Sequence, residues 1–173
     1  MEAHGEQSRR SGTKTQPADK SALKLLNQTA YETMRFRYPL IRPELLPPPK
    51  YSDKTANGLT KCVIAWIRYS GGQAERINVT GRQIDQRKTV TDCLGHQRQI
   101  GSLKYIPTSG TRGSADISAT IHGRSVKIEI KIGRDKQRPA QMEYQRSVEA
   151  AGGIYFIAST FQQFYNWYQK TFE

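Results

Sequence analysis

The sequence predicts an α/β fold, because segments with helical spacing alternate with segments typical of strands. LTKCVIAWIRY has Leu59, Val63, Trp66 and Ile67 at helical spacing, and GIYFIAS at residues 153–159 is a short apolar run typical of a buried strand. Between them, a tight HGR turn joins ADISATI to SVKIEIK as a hairpin. The predicted order of elements is helix, strand, hairpin, helix, strand, helix.

The N-terminal part, residues 1–54, is predicted to be a basic and largely flexible extension. Residues 1–18 are polar and poor in aromatic side chains, which is typical of disorder. Residues 19–36 predict a short helix, and the proline-rich RYPLIRPELLPPPK after it predicts an extended linker. The folded domain is therefore expected over residues 55–173.

Of two segments early in the domain, one predicts a strand and the other allows two interpretations. ERINVTG at 75–81 alternates as a strand does, with Ile77 and Val79 on one face. Residues 83–110 are polar with short β-like pieces, and they are interpreted as an insertion or an extended hairpin.

Two helices are predicted near the C-terminus. Pro139 favours a helix start, since the first turn does not need its missing N–H, and Gly152 favours the end of that helix. Thr160 and Gln163 stand at capping-box spacing before an aromatic helix. The aromatic stripe of this helix favours a role in the core or in a dimer surface over base stacking.

The charge of the chain favours a polyanionic partner. The 173 residues include 27 Lys and Arg against 15 Asp and Glu, which gives a formal net charge of +12. Most of this excess lies beyond residue 50, so the folded part is itself basic. Nucleic acid is the first candidate, and a solvated basic surface is the alternative.

Other classes of protein are disfavoured. The N-terminus lacks the apolar segment of a secretory signal, and no run is long enough for a membrane helix. Cys62 and Cys93 have no CxxC spacing, and the three histidines form no ligand motif, so neither a disulfide framework nor a zinc site is expected. We therefore expect a cytoplasmic protein without a membrane partner.

The hairpin places charged side chains where an ordinary strand would carry neutral ones. Alternation along SVKIEIK puts Glu129 and Lys131 on the face opposite to an aliphatic stripe of Val126, Ile128 and Ile130. These two charged residues are same-face neighbours about 6.5–7 Å apart. A Glu-x-Lys triplet alone more often belongs to an exposed, ion-paired face of a strand. The surrounding residues therefore determine whether the triplet indicates a functional site.

A second carboxylate converges on the same end of the hairpin. The turn folds Asp116 back towards Glu129, and two close carboxylates repel each other unless a cation lies between them. Mg²⁺ suits oxygen ligands, and Asp116, Glu129 and the backbone carbonyl of Ile130 are the predicted set. Such an ion would polarise a phosphodiester, with Lys131 positioning a water or stabilising developing charge.

The order of these motifs resembles a nuclease family. RGSAD, then twelve residues, EIK, the basic loop IGRDKQR, PAQ opening a helix and GGIYFIAS together resemble the PD-(D/E)XK nuclease fold. The closest likeness is to its VRR-NUC branch, which is related to Holliday junction resolvases, and it covers about residues 56–165. It implies a restriction-endonuclease-like core with a mixed central sheet flanked by helices. It also implies cleavage of DNA with Mg²⁺ or Mn²⁺, often of branched or flapped DNA, and a bacterial or phage source.

The resemblance assigns roles to individual residues. Asp116 falls on the metal-binding Asp, Glu129 and Lys131 fall on the (D/E)xK motif, and Gln141 falls on the helix glutamine that assists the metal or the scissile phosphate. The physical interpretation of Gln141 agrees, because it lies in the first turn of a helix, where backbone N–H groups favour anions. Gln145 follows one turn later on the same face.

This chain departs from the family pattern at three places. Ala115 replaces the Pro before the metal-binding Asp, and Arg138 replaces a helix-capping Ser, which weakens the cap by about 1 kcal/mol. No Glu occurs in the first domain helix, so that ligand is either missing or replaced by Asn57.

Cations flank the expected site on both sides and predict a rim that holds the DNA backbone. The candidates are Arg112, Lys127, Arg134, Lys136 and Arg138, with Arg76 and Arg82 as weaker ones. For each of these residues, a solvated surface charge is as good an explanation as a contact with the DNA backbone.

Three functions stay open at the level of sequence. The first is a metal-dependent DNA endonuclease, and the second is a nucleic-acid-binding module that keeps the fold without catalysis. The third is an adaptor that uses the proline-rich segment 39–49. A resolvase would act as a symmetric homodimer, whereas a flap nuclease need not.

Overall fold

The computed structural model describes residues 21–78, 81–107 and 110–173. The helices are α1 (Ser21–Arg37), α2 (Ala56–Tyr69), α3 (Pro139–Ala150) and α4 (Phe161–Phe172). The strands are β1 (Gln73–Arg76), β2 (Arg82–Asp85), β3 (Lys88–Thr91), β4 (Gln97–Ile100), β5 (Leu103–Ile106), β6 (Ile117–Ile121), β7 (Arg124–Ile130) and β8 (Ile154–Ala158). The predicted order of helices, strand and hairpin from residue 55 onwards is confirmed.

A mixed four-stranded sheet organises the domain. Its strand order is β1-β6-β7-β8, in which β7 and β8 run parallel and the other neighbours run antiparallel. Helices α1, α2 and α4 cover one face, and α3 lies against β8 on the other. The expectation of an α/β protein with a mixed sheet between helices is therefore confirmed.

The core lies between the sheet and the helices of the first face. The aliphatic stripe of β7 is buried there as predicted, and it packs with Val63 and Ile67 of α2. Phe161, Phe164 and Tyr168 of α4 are fully buried, so the aromatic helix belongs to the core. Burying each such side chain contributes about 1.5–3 kcal/mol.

Side-chain caps fix the first residues of two helices. The Thr55 hydroxyl accepts a hydrogen bond from Gly58 N at the start of α2. The Thr160 hydroxyl accepts one from Gln163 N at the start of α4, whereas Gln163 Oε1 accepts from Ser159 N, so one of the two bonds of the expected capping box is present.

The first strand differs from the prediction. β1 ends at Arg76, not at residue 81, and Val79 lies outside the described residues. The regular pairing ends there because β6 begins at Ile117, which lies opposite Arg76. The Ile77 N–H instead donates to the Asp116 carbonyl at 2.8 Å.

The last strand is less buried than predicted. Only Ala158 of β8 is buried, and the other four residues are half-buried. β8 forms the edge of the sheet, so it has a neighbour on one side only.

The helix within the N-terminal part packs on the domain. Ala22 and Leu26 of α1 belong to the core, and the Gln162 side chain of α4 accepts from Ala22 N. The proline-rich stretch after α1 contains a short 3₁₀-helix, Pro43–Leu45, and is otherwise irregular. Residues 1–18, which the sequence predicts to be flexible, lie outside the described residues.

Residues 82–106 form a two-part β-ribbon between β1 and β6. Strand β2 pairs with β5, and the inner strands β3 and β4 continue the same antiparallel register. Of the two interpretations of this segment, the extended hairpin is confirmed. No helix among the described residues is long and apolar enough to cross a membrane.

Candidate active site at the end of the hairpin

The β6–β7 turn brings Asp116 to the end of β7. His122 and Gly123 form the turn with φ of 48° and 76°, the left-handed pair typical of a two-residue hairpin. Asp116 precedes β6, and its Oδ2 accepts a hydrogen bond from Ile130 N at 2.9 Å. The predicted convergence of Asp116 with the end of β7 is therefore present.

Glu129 is a buried carboxylate with one unpartnered oxygen. Its side chain is 2% exposed, and Oε1 lies 3.1 Å from Lys131 Nζ and also accepts from Gln141 Nε2. Oε2 is buried without a hydrogen-bond partner among the described residues. Burial, followed by the charge of Asp116, raises the pKa of Glu129 above its ordinary value, although Lys131 opposes the shift.

Lys131 is held between two carboxylates. Its Nζ lies 3.1 Å from Glu129 Oε1 and 3.2 Å from Asp135 Oδ2, while the side chain is buried. Burial opposes its charge, but the hydrogen bonds to Glu129 and Asp135 outweigh that effect and raise the pKa of Lys131. The group is therefore an ammonium at neutral pH, which suits it to stabilise negative charge and not to accept a proton.

Gln141 joins the helix start to the carboxylate. Arg138 occupies the N-cap position of α3 without a side-chain cap, and Gln141 Oε1 accepts from Arg138 N at 2.9 Å. The amide of the same residue donates to Glu129. Gln145 does not share this contact, since it bonds with Gln137 and Glu149.

The loop before Asp116 packs closely on the first turn of α3. Gly113 has φ of 81°, and a Cβ at this position would lie 2.3 Å from the carbonyl oxygen of Ala140. Ala115, which follows Ser114 in this loop, is buried. Gly113 therefore sets the spacing between the Asp116 loop and the helix that carries Gln141.

Four cations of the predicted rim are exposed, and the fifth forms a hydrogen bond within the sheet. Arg112, Arg134, Lys136 and Arg138 are exposed. Lys127 donates to Ser118 Oγ at 2.6 Å on the same face of the sheet as Glu129.

Asn57 shows no contact with the two carboxylates. It lies exposed in the first turn of α2, in a groove lined in part by Tyr51, Ser52 and Lys61. Of the two weaker candidates, Arg76 ends β1 and Arg82 begins the ribbon.

Two neighbours of Glu129 were not predicted from the sequence. Asp135 pairs with Lys131. Their spacing of four residues does not predict this ion pair unless the conformation of the loop between them is known. Tyr155 of β8 faces the site side, with a buried hydroxyl and a pKa raised by burial and by the charge of Glu129. The alternation of β8 would identify Tyr155 once its parallel pairing with β7 is known.

The donor set fits a hard divalent cation. The described residues contain no group of three or more His, Cys, Asp and Glu, so protein ligands beyond the two carboxylates would be backbone oxygens. Mg²⁺ takes one or two carboxylates and keeps several waters. Asp116, the unpartnered Glu129 Oε2 and the Ile130 carbonyl would be the oxygen donors to such an ion.

Neither a protein-family model nor a curated protein sequence matches this chain.

Proposed function

We propose that this protein is a metal-dependent DNA endonuclease with a PD-(D/E)XK-type core. The observation that carries the proposal is Glu129, a buried carboxylate with an unpartnered Oε2 beside Asp116, Lys131 and Gln141. A purely structural carboxylate would be paired through both oxygens, because an unsatisfied buried acceptor is costly.

Each residue has a distinct role in this proposal. Asp116 and Glu129 bind Mg²⁺ or Mn²⁺ with the Ile130 carbonyl, and the ion supplies Lewis-acid charge and a water of lowered pKa. Lys131 stabilises the charge that develops on the scissile phosphate. Gln141 orients Glu129 through its amide, and the exposed arginines and lysines of the rim hold the DNA backbone.

A non-catalytic nucleic-acid-binding module is the second candidate. The absence of a carboxylate at Asn57 favours it, since the site then has fewer anionic ligands. The retained burial of Glu129 and Lys131 favours the nuclease, because a protein without catalysis gains nothing from their desolvation.

Cleavage assays distinguish the two candidates. Labelled linear, flapped and four-way DNA would be incubated with Mg²⁺, Mn²⁺ or EDTA, using wild type, Glu129→Ala and Lys131→Ala. We expect metal-dependent cleavage that falls by about 10²-fold or more in both variants, with DNA binding retained.

The exposed Lys170→Ala on α4 is the control for loss of a positive charge. It should cleave as wild type does. Normal cleavage by both site variants would refute the site assignment, and salt-sensitive binding without cleavage under any metal would favour the binding module.

A further inference from the structure

The β-ribbon of residues 82–106 separates its charges by face. In β2 and β5, the cross-strand pairs Arg82–Ile106 and Ile84–Lys104 share one face. In β3 and β4, the same pattern recurs in Lys88–Ile100 and Val90–Arg98. Each pair on this face joins one cation to one aliphatic side chain, and we call these eight residues the cation–aliphatic face.

The opposite face of the ribbon is nearly neutral. Its pairs are Gln83–Tyr105, Asp85–Leu103, Thr89–Gln99 and Thr91–Gln97. Asp85 of this face pairs with Arg87 at 2.7 Å, and at the tip of the ribbon Asp92 lies 3.5 Å from His96. The uncompensated positive charge of the ribbon therefore lies on the cation–aliphatic face.

The cation–aliphatic face has no partner within the described chain. No residue of β2, β3, β4 or β5 is buried, and Val90, Ile100 and Ile106 are exposed apolar side chains. None of its four cations forms an ion pair with another described residue. Exposed aliphatic groups between unpaired cations indicate a surface that another molecule covers.

The ribbon is connected in sequence to the part of the sheet that carries the candidate active site. The ribbon leaves the sheet after β1 and returns before β6, and the Ile77 N–H donates to the carbonyl of Asp116 itself. The chain segments that join the ribbon to the sheet therefore flank the pairing of Ile77 with Asp116.

We infer that the cation–aliphatic face binds duplex DNA, and this rests on the proposed nuclease function. A two-stranded ribbon is of a size that the major groove admits, and the ribbon is about 30 Å long. The four cations match phosphates along the groove, and the aliphatic side chains match thymine methyls and other apolar base edges. A second copy of the chain fits poorly, because a symmetric contact would oppose cations to cations.

The test is duplex binding in EDTA, which separates binding from cleavage. The triple variant Lys88→Gln/Arg98→Gln/Lys104→Gln removes three cations from the face. Fluorescence anisotropy with a labelled duplex, between about 50 and 200 mM salt, should show about tenfold weaker binding or worse. The slope of log K against log salt should fall in magnitude by about 2–3.

The matched control removes three cations from α1 and α4, outside the ribbon. Lys24→Gln/Arg35→Gln/Lys170→Gln has the same net charge as the ribbon variant, and all three positions are exposed. It should bind within about twofold of wild type, since its cations do not belong to the cation–aliphatic face. Equal weakening by both triple variants would refute a specific role of the ribbon.

A second variant keeps the charge and removes apolar surface. Val90→Thr/Ile100→Thr preserves β-branched side chains, so the strands should still form. We expect weaker binding with an unchanged salt slope, because no phosphate contact is lost. Unchanged duplex affinity, or a change in oligomeric state by light scattering in place of a change in affinity, would overturn the inference.

The outcomes separate this inference from the proposed function. Ribbon-dependent binding by a protein that never cleaves would support the inference and refute the nuclease. Cleavage by a protein whose DNA affinity does not change with the ribbon substitutions would support the nuclease and refute the inference.

Discussion

At the scale of single residues, Glu129 combines burial with incomplete pairing. One oxygen contacts Lys131 and Gln141, and the other has no partner among the described residues. In a metal-free protein this arrangement favours the protonated carboxyl, which is why the pKa of Glu129 lies above its ordinary value. The side chain is thus better suited to a bound cation than to the metal-free fold.

Glu129→Gln should make the metal-free protein more stable at neutral pH. An acid whose folded pKa is raised binds its proton more tightly in the native state, so wild-type stability falls as pH rises from about 4.5 through the folded pKa. Gln imitates the protonated form and avoids this loss. Urea unfolding in EDTA should show a gain of about 1 kcal/mol at pH 7 that vanishes near pH 4.

The exposed Glu143→Gln on α3 is the control, and its stability difference from wild type should not change with pH in this way. A Glu129→Gln protein that is less stable than wild type at pH 7 would mean that the ion pair with Lys131 outweighs the desolvation of the carboxylate.

At the scale of elements, the contact between the Gly113 loop and α3 determines the site geometry. Gly113→Ala introduces a Cβ 2.3 Å from the Ala140 carbonyl oxygen at φ of 81°. We expect a loss of unfolding free energy of about 2 kcal/mol or more, from strain and overpacking together. Chemical denaturation measures this, and cleavage should fall because Asp116 and Gln141 move apart.

Gly152→Ala is a closely matched control, since Gly152 has φ of 80° and open space around its Cα. It should cost only the backbone strain, about 1–2 kcal/mol, and leave cleavage intact. Equal losses in the two variants would show that the packing of Gly113 on α3 contributes nothing.

Local elements were predictable from the sequence where their own periodicity determines them. The β6–β7 hairpin, the stripe of Val126, Ile128 and Ile130, and the start of α3 at Pro139 follow from spacing and turn residues. The end of β1 and the exposure of β8 do not, because the neighbouring strand determines each of them. Strand order is a long-range property that a single local pattern does not encode.

The site was predictable in part for the same reason. Lys131 and Gln141 both contact Glu129, and Asp116 bonds to the backbone of the next residue, Ile130. The pairing of Lys131 with Asp135 depends on a loop conformation, and the approach of Tyr155 depends on the parallel pairing of β8, so neither follows from sequence spacing.

At the scale of the whole molecule, metal binding should stabilise the native state. A ligand that binds only the folded protein adds about 2.7 kcal/mol at a concentration of 100 times Kd. For a chain of this size that corresponds to a rise in Tm of about 5–10 °C. Differential scanning fluorimetry with Mn²⁺ should show the rise in wild type and its loss in Asp116→Asn and Glu129→Gln.

Glu143→Gln should retain the rise, since its carboxylate is exposed and remote from β7. A shift of equal size in all four proteins would assign the metal effect to other carboxylates and refute the proposed ligands.

The dual hydrogen bonding of Gln141 has a consequence for what position 141 tolerates. Its oxygen accepts from the backbone N–H of Arg138 at the start of α3, while its nitrogen donates to Glu129. A carboxylate there could accept but not donate, and an aliphatic chain could do neither, so the start of the helix and the orientation of Glu129 constrain one side chain together.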